Sequence, residues 1–323
     1  MLRAPSHRER HERIRTMLPS LARMLTACIS CGHGCGVNRV AGARGTCRTT
    51  GNFRNAEVSS HTLHFGEEPP LVGKGGSGTV FFSRCNLACV YCQNHQISHE
   101  GAGSIVDPDM LAERYHDLAV KGAVNINLVS PTHYLYPLLE AVAIASERGM
   151  NLPLVYNTNG YDSVPVLRLL DGIIDIYLPD AKYSTDALAK KYSGAENYVS
   201  ANRAAIREMY RQTGALEVHE GVARHGTIIR HLVLPDDIAG SYDLLLWLSD
   251  SGMKDATLSL MSQYAPKHRA AEHPPLARTV TAQEYHDVIE YASSLGFTHI
   301  LAQELGSNEV YFPDFKNDMP FKQ

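Results

Sequence analysis

From residue 79 onward the chain alternates short, nearly continuous apolar runs with longer amphipathic ones, and nothing else in it restricts the fold as much. The short runs cover residues 79–83, 124–129, 152–157, 173–178, 227–234 and 257–261 and are rich in β-branched and aliphatic side chains, as strands buried on both faces of a parallel sheet are. Helical patterns lie between them. Asp107 and Pro108 open one, Met110, Leu111, Tyr115, Leu118 and Ala119 share a face, and Gly122 closes it. Residues 137–148 form another that ends at Gly149, and 201–212, 241–250 and 281–294 read alike. Repeated β-then-α units imply parallel strands joined by right-handed crossovers. A doubly wound sheet and an incomplete barrel both fit six such units, but no Gly-rich dinucleotide fingerprint follows the first run. The expected fold is α/β: a partial (β/α)6 TIM-like barrel over residues 76–323. An N-terminal arm or helix (1–27) and a small Cys-rich metal-binding extension with its connector (28–75) precede it.

Chemistry in such barrels sits at the C-terminal ends of the strands, and here each run exits into polar or reactive groups. The first leads to Cys85, Cys89 and Cys92, the second to Ser130, Pro131, Thr132 and His133, and the third to Asn157, Thr158, Asn159 and Gly160. The fourth leads to Asp180 and Lys182, the fifth to Asp236 and Asp237, and the sixth to Ser262, Gln263 and Tyr264. Loops are polar in any protein, which accounts for one such exit more easily than for six. Strand alternation puts Asn125 and Asn127 on one face.

The seven cysteines form two tight groups, four between Cys28 and Cys47 and three between Cys85 and Cys92. An odd total in tight clusters suits metal ligation rather than a disulfide framework. Cys85, Cys89 and Cys92 are spaced C-x3-C-x2-C in a loop after a strand. A [4Fe–4S] cube held wholly by protein takes four thiolates, so three leave one iron open to a ligand. The competing reading is a zinc knuckle completed by His95 or His99.

This spacing, with aromatic Tyr91 before the last Cys, resembles the radical SAM superfamily. The run from Gly76 through Phe81, Phe82, Ser83 and Arg84 to Cys92, Gln93 and Asn94 is similar to its pyruvate-formate-lyase-activating-enzyme-like branch. The likeness continues through residues 125–133, 177–183, 230–235 and 261–264. The resemblance implies a [4Fe–4S] cluster on Cys85, Cys89 and Cys92 that binds S-adenosylmethionine (SAM). One-electron reduction then cleaves SAM to methionine and a 5′-deoxyadenosyl radical, which abstracts a substrate hydrogen. It also implies a reductant such as flavodoxin or ferredoxin, and a protein or peptide substrate. Tyr91 would pack near the adenine, and Asn94 would meet the cluster or SAM. Asp180 and Lys182 match the fourth-strand Asp-x-Lys that contacts SAM in activating enzymes, and Asn157, Asn159 and Arg230 complete the expected cofactor set. Ser130, Pro131 and Thr132 stand where many relatives carry a Gly-Gly-Glu that binds the methionine amine, so Thr132 or a backbone carbonyl is the expected substitute. Arg84 stands where Gly is usual.

Cys28, Cys31, Cys35 and Cys47 give C-x2-C-x3-C-x11-C among glycines. Four thiols in tight turns suit a second site, either zinc or an auxiliary iron–sulfur cluster. The other functions compatible with the sequence are radical modification of a small molecule and a non-enzymatic electron-transfer or scaffold role for the metals. Among 323 residues, 44% are hydrophobic and 20% charged, enough for a substantial core, and the net charge of −4 supplies no basic field for nucleic acid. Apolar stretches such as 138–145 are too short to span a bilayer. The Arg- and His-rich start, with Glu9 and Glu12, lacks a signal-peptide core. The expectation is a cytoplasmic protein with neither nucleic-acid nor membrane partners.

Overall fold

The computed structural model describes residues 7–49, 51–306, 313–315, 317 and 320–321. Its strands are β1 (Ala56–His64), β2 (Ser77–Phe82), β3 (Ser104–Val106), β4 (Ile126–Val129), β5 (Leu154–Thr158), β6 (Ile176–Pro179), β7 (Glu217–His219), β8 (Val222–Leu232), β9 (Thr257–Met261) and β10 (Ile300–Ala302). They form one sheet in the order β10-β9-β8-β6-β5-β4-β2-β1-β3, with β7 paired to β8. Every neighbouring pair from β2 to β10 along this order is parallel. Each parallel strand is laid beside its predecessor in the chain, the one-way winding of a barrel; a doubly wound sheet would reverse direction. Among the described residues the edge strands β3 and β10 do not pair with each other, so the barrel is partial.

All six apolar runs became parallel strands, but the sheet holds a seventh, β10. Ile300, Leu301 and Ala302 are half-buried or exposed, and a three-residue strand leaves too short an apolar run to stand out. Residues 48–75 are also more than a connector. β1 pairs antiparallel with β2, and β3 pairs antiparallel with β1. Beyond β1 the chain turns inward, and a short helix, Pro69–Val72, drives Leu71 among Val155, Ile176, Leu178, Ala223 and Ile228. This segment plugs the concave interior of the sheet.

The convex side carries the larger core. The Pro108–Val120 helix starts where expected because Asp107 Oδ1 accepts the Met110 N–H at 2.8 Å, satisfying a donor that the helix start leaves free. Thr281 and Glu284 cap the Ala282–Ser294 helix reciprocally. The Leu135–Glu147 helix is almost wholly buried, and the N-terminal helix His7–Leu25 lies on it with Ile14, Leu18, Leu21 and Leu25 inward. Arg10 of that helix pairs with Asp175 at 2.6 Å, both side chains 3% exposed, and donates to the Leu152 carbonyl at 3.0 Å. The N-terminal helix is thus packed into the core. No helix among the described residues is long and apolar enough to cross a membrane.

Candidate functional site

The strand ends surround a cleft of about 1400 Å³, open solvent at its mouth included. Cys85, Cys89, Cys92, Tyr91, Asn94, Asn157, Asn159, Asp180, Lys182 and Arg230 all face it. The expected set therefore gathers in one place except for Thr132.

The loop after β2 is shaped by its backbone. Arg84 adopts φ 69°, a left-handed conformation that costs any residue with a Cβ, which is the physical reason a glycine suits this position. Its Nε donates to Glu57 at 3.1 Å. Each thiol of the loop meets a polar partner. Cys85 Sγ accepts from Leu87 N at 3.3 Å and from Asn159 Nδ2 at 3.4 Å. Ser193 Oγ donates to Cys89 Sγ at 3.0 Å, and Cys92 Sγ and Ser98 Oγ lie 3.2 Å apart. Burial pushes the Cys85 thiol up to about 12 and Cys92 up to about 11, with Cys89 adding to both. Burial also raises Cys89, while Lys182 opposes it. Cationic metal favours the thiolate of such buried sulfurs, and the donors around them suit cluster ligation. The three thiols line the cleft together, and their donor set fits a cluster.

The same cleft carries a chain of charges. Lys182 Nζ lies 2.7 Å from Asp180 Oδ2, Arg230 Nε donates to Asp180 Oδ1 at 2.8 Å, and an Arg230 amino group donates to Asn157 Oδ1 at 2.6 Å. Burial works against the Asp180 charge, but Arg230 and Lys182 outweigh it and hold the carboxyl below the usual range. Lys182 is likewise raised, Asp180 overcoming burial. All three groups are therefore ionised at neutral pH. Gly160 adopts φ 73°, and a Cβ there would collide with the Asp180 carbonyl and the Asn202 amide, so only glycine lets β5 and β6 end this close together. Tyr91 forms an apolar wall with Tyr264, and its hydroxyl lies 2.7 Å from that of Tyr183.

Thr132 does not reach the cleft. Ser130, at φ 58°, swings the chain away after β4. Thr132 then donates to Asp162 at 2.7 Å, where Tyr156 and Thr158 also donate. The neighbouring His133 meets the Ser83 carbonyl, and its own carbonyl accepts from Arg39. Asp236 and Asp237 also miss the cleft: Asp236 pairs with Arg278, and Asp237 receives the Ser241 N–H. Sequence reasoning missed Glu67, His64 and Met261, which face the cleft, and Asn86 and Ser193, which hold the thiols. For Glu67 the one signal was a Glu-Glu pair ahead of Pro69 and Pro70.

Cys28, Cys31, Cys35 and Cys47 surround a second, smaller cavity together with Ser30, His33, Arg39, Thr132 and His133. A Cβ on Gly45 would lie 2.9 Å from Cys35 Sγ, so this turn needs glycine to admit the sulfur. Burial pushes Cys31 up to about 12. The two cysteine groups are neighbours: His33 Nε2 is 2.7 Å from the Asn86 carbonyl, and Asn86 Nδ2 donates to the Tyr161 carbonyl beside Gly32.

Over 273 residues the chain is 30% identical to the uncharacterized protein MJ0674 of Methanocaldococcus jannaschii, covering 82% of this chain and 74% of that protein. Among solved structures it is similar to native anSMEcpe with bound AdoMet (TM-score 0.44, 11% identity, 66% of this chain and 57% of the other). It is also similar to native anSMEcpe with bound AdoMet and Cp18Cys peptide (TM-score 0.46, 12% identity, 66% and 56%). The chain thus spans just over half the length of those solved chains. Residues 79–212 match the Radical SAM superfamily, and the chain belongs to that superfamily.

Proposed function

We propose that this protein cleaves SAM reductively and abstracts hydrogen from a protein or peptide substrate, in the manner of the pyruvate-formate-lyase-activating-enzyme-like branch. The observation that carries the reading is the gathering of two sets in one cleft: Cys85, Cys89 and Cys92, each with a polar partner, and the ionised Asp180, Lys182 and Arg230. The three thiols would hold a [4Fe–4S] cluster, which when bound supplies the electron that breaks the SAM sulfonium bond to give the hydrogen-abstracting radical. Lys182, oriented by Asp180, offers an ammonium to a carboxylate. The Asn94, Asn157 and Asn159 amides offer further polar contacts, and Tyr91 with Tyr264 gives an apolar face that keeps water from the reacting atoms. Cys28, Cys31, Cys35 and Cys47 would hold a second metal centre beside the cleft.

The test is direct. Anaerobically reconstituted protein with SAM and dithionite is expected to release 5′-deoxyadenosine; none from protein with a fully loaded cluster overturns the proposal. Deuterium passing from a candidate peptide into 5′-deoxyadenosine identifies the substrate.

A further inference from the structure

The segment that plugs the sheet interior brings Glu67 to the cleft wall, with Glu68 beside it, and the charges there do not balance. Glu67, Glu68 and Asp180 share Arg230 and Lys182. Asp180 takes both cations at hydrogen-bond distance, at 2.8 and 2.7 Å, whereas Glu67 Oε2 reaches Arg230 only at 3.7 Å. The other groups nearby do not restore the balance: burial keeps His64 neutral, at about 4, and Arg84 is paired with Glu57. The wall sets three carboxyls against two cations, and burial raises both Glu67 and Glu68, Glu68 to about 7, so an added cation would favour their ionised forms.

A second observation is independent of charge. Glu68 Oε2 and both amide atoms of Asn127 are buried without a hydrogen-bond partner. Asn127 is 0% exposed and stands beside Glu67, near enough to favour its ionised form but in no hydrogen bond of normal geometry. Orphaned buried polar atoms are rare because they forfeit their hydration. Beside a cleft, they point to partners that arrive with a ligand.

We propose that Glu67, backed by Glu68 and Asn127, binds a protonated amine in the cleft. An ammonium brings the missing positive charge and three N–H donors, and a donor between ionised groups makes the stronger kind of hydrogen bond. The inference rests on the proposed reaction, which offers two sources of such a group: the amino group of SAM and a lysine side chain of a peptide substrate.

The experiment measures dissociation constants on the anaerobically reconstituted full chain and on Glu67→Gln, with iron content and circular dichroism as controls for folding. Glu67→Asp, which keeps the charge, replaces the Gln variant if that does not fold and is expected to bind more weakly than wild type. The probes are SAM, its analogue lacking the amino group, and n-butylamine in place of a lysine side chain. If the amine is that of SAM, Glu67→Gln weakens SAM binding roughly tenfold or more and leaves binding of the deaminated analogue unchanged. If it belongs to the substrate, SAM binds both proteins alike, and n-butylamine binds the wild type but not the variant. Equal constants for all three probes in both proteins overturn the proposal. A wild type that binds no SAM strikes the proposed reaction instead, and n-butylamine titrated alone then decides the amine site.

Discussion

His33 Nε2 meets the main-chain carbonyl of Asn86 at 2.7 Å, fastening the four-cysteine segment to the residue that follows Cys85. The same Asn86 accepts from Asn159 Nδ2 at 2.6 Å through its side chain. The N-terminal extension therefore braces the loop of the cluster site as well as carrying thiols of its own. Replacing His33 with Ala is expected to leave iron content after reconstitution unchanged but to speed loss of the cluster absorbance in air. An unchanged decay rate would show that the brace has no role.

The two cysteine groups should separate by substitution. Ala at Cys85, Cys89 or Cys92 is expected to remove 5′-deoxyadenosine formation entirely, because each thiol would be one of three cluster ligands. Replacing Cys28 and Cys31 is expected to spare the signal of the reduced Cys85 cluster in electron paramagnetic resonance. Metal analysis of that variant tests the proposed second centre: either zinc or part of the iron is expected to be lost.

Lys182 is positioned by Asp180 at 2.7 Å and lines the same cleft as the thiols. Lys182→Ala is expected to weaken SAM binding by roughly tenfold, the worth of one charge-assisted contact, with iron content unchanged. Asp180→Asn is expected to weaken it too, because both Lys182 and Arg230 lose their shared anchor. Equilibrium dialysis with labelled SAM measures both.

The N-terminal helix is held by an ion pair that water hardly reaches. Arg10→Ala strands Asp175 as a buried, unpaired carboxylate that still receives the Leu154 N–H, and the expected loss is about 3–5 kcal/mol in urea unfolding. A loss well under that would mean the helix is only loosely docked.

Acid should destabilise the fold through its buried imidazoles. Burial lowers His231 from 6.5 to about 4, and its ring lies between the Ala181 carbonyl and Ser241 Oγ. Because the folded value lies below the unfolded one, the stabilising contribution is complete above pH 6.5. It is lost as pH falls through 4, amounting to roughly 3 kcal/mol when complete. His133, lowered to about 3 chiefly by burial, pulls in the same direction. The melting temperature is therefore expected to fall steadily from pH 7 to pH 4.5 in calorimetry, and His231→Asn should flatten the slope.

Much of the barrel and of the site was legible because the signals were local. The six runs are short and largely aliphatic or β-branched, which suits strands covered on both faces. Cys85, Cys89 and Cys92 lie within eight residues, so chain geometry alone keeps them together. Asp180 and Lys182 share one strand end and meet in the structure at the first attempt. Thr132 was misplaced because its direction depends on the left-handed turn at Ser130, and a serine does not announce a positive φ.

The sequence by itself determined the six parallel strands with the helices between them, the three-thiol loop, and the exits at Asn157, Asn159, Asp180 and Lys182 that share its cleft, since each depends on residues close together in the chain. Tertiary structure alone decided that a stretch read as a connector would become β1 and a plug, setting Glu67 and Glu68 against Arg230 some 160 residues away. It alone decided that the four-cysteine segment would lie against the cluster loop through His33 and Asn86. The physical reason is the same in both cases. A Glu is most often exposed and a His intermediate, and what fixes both here is packing by distant chain, which local pattern does not carry.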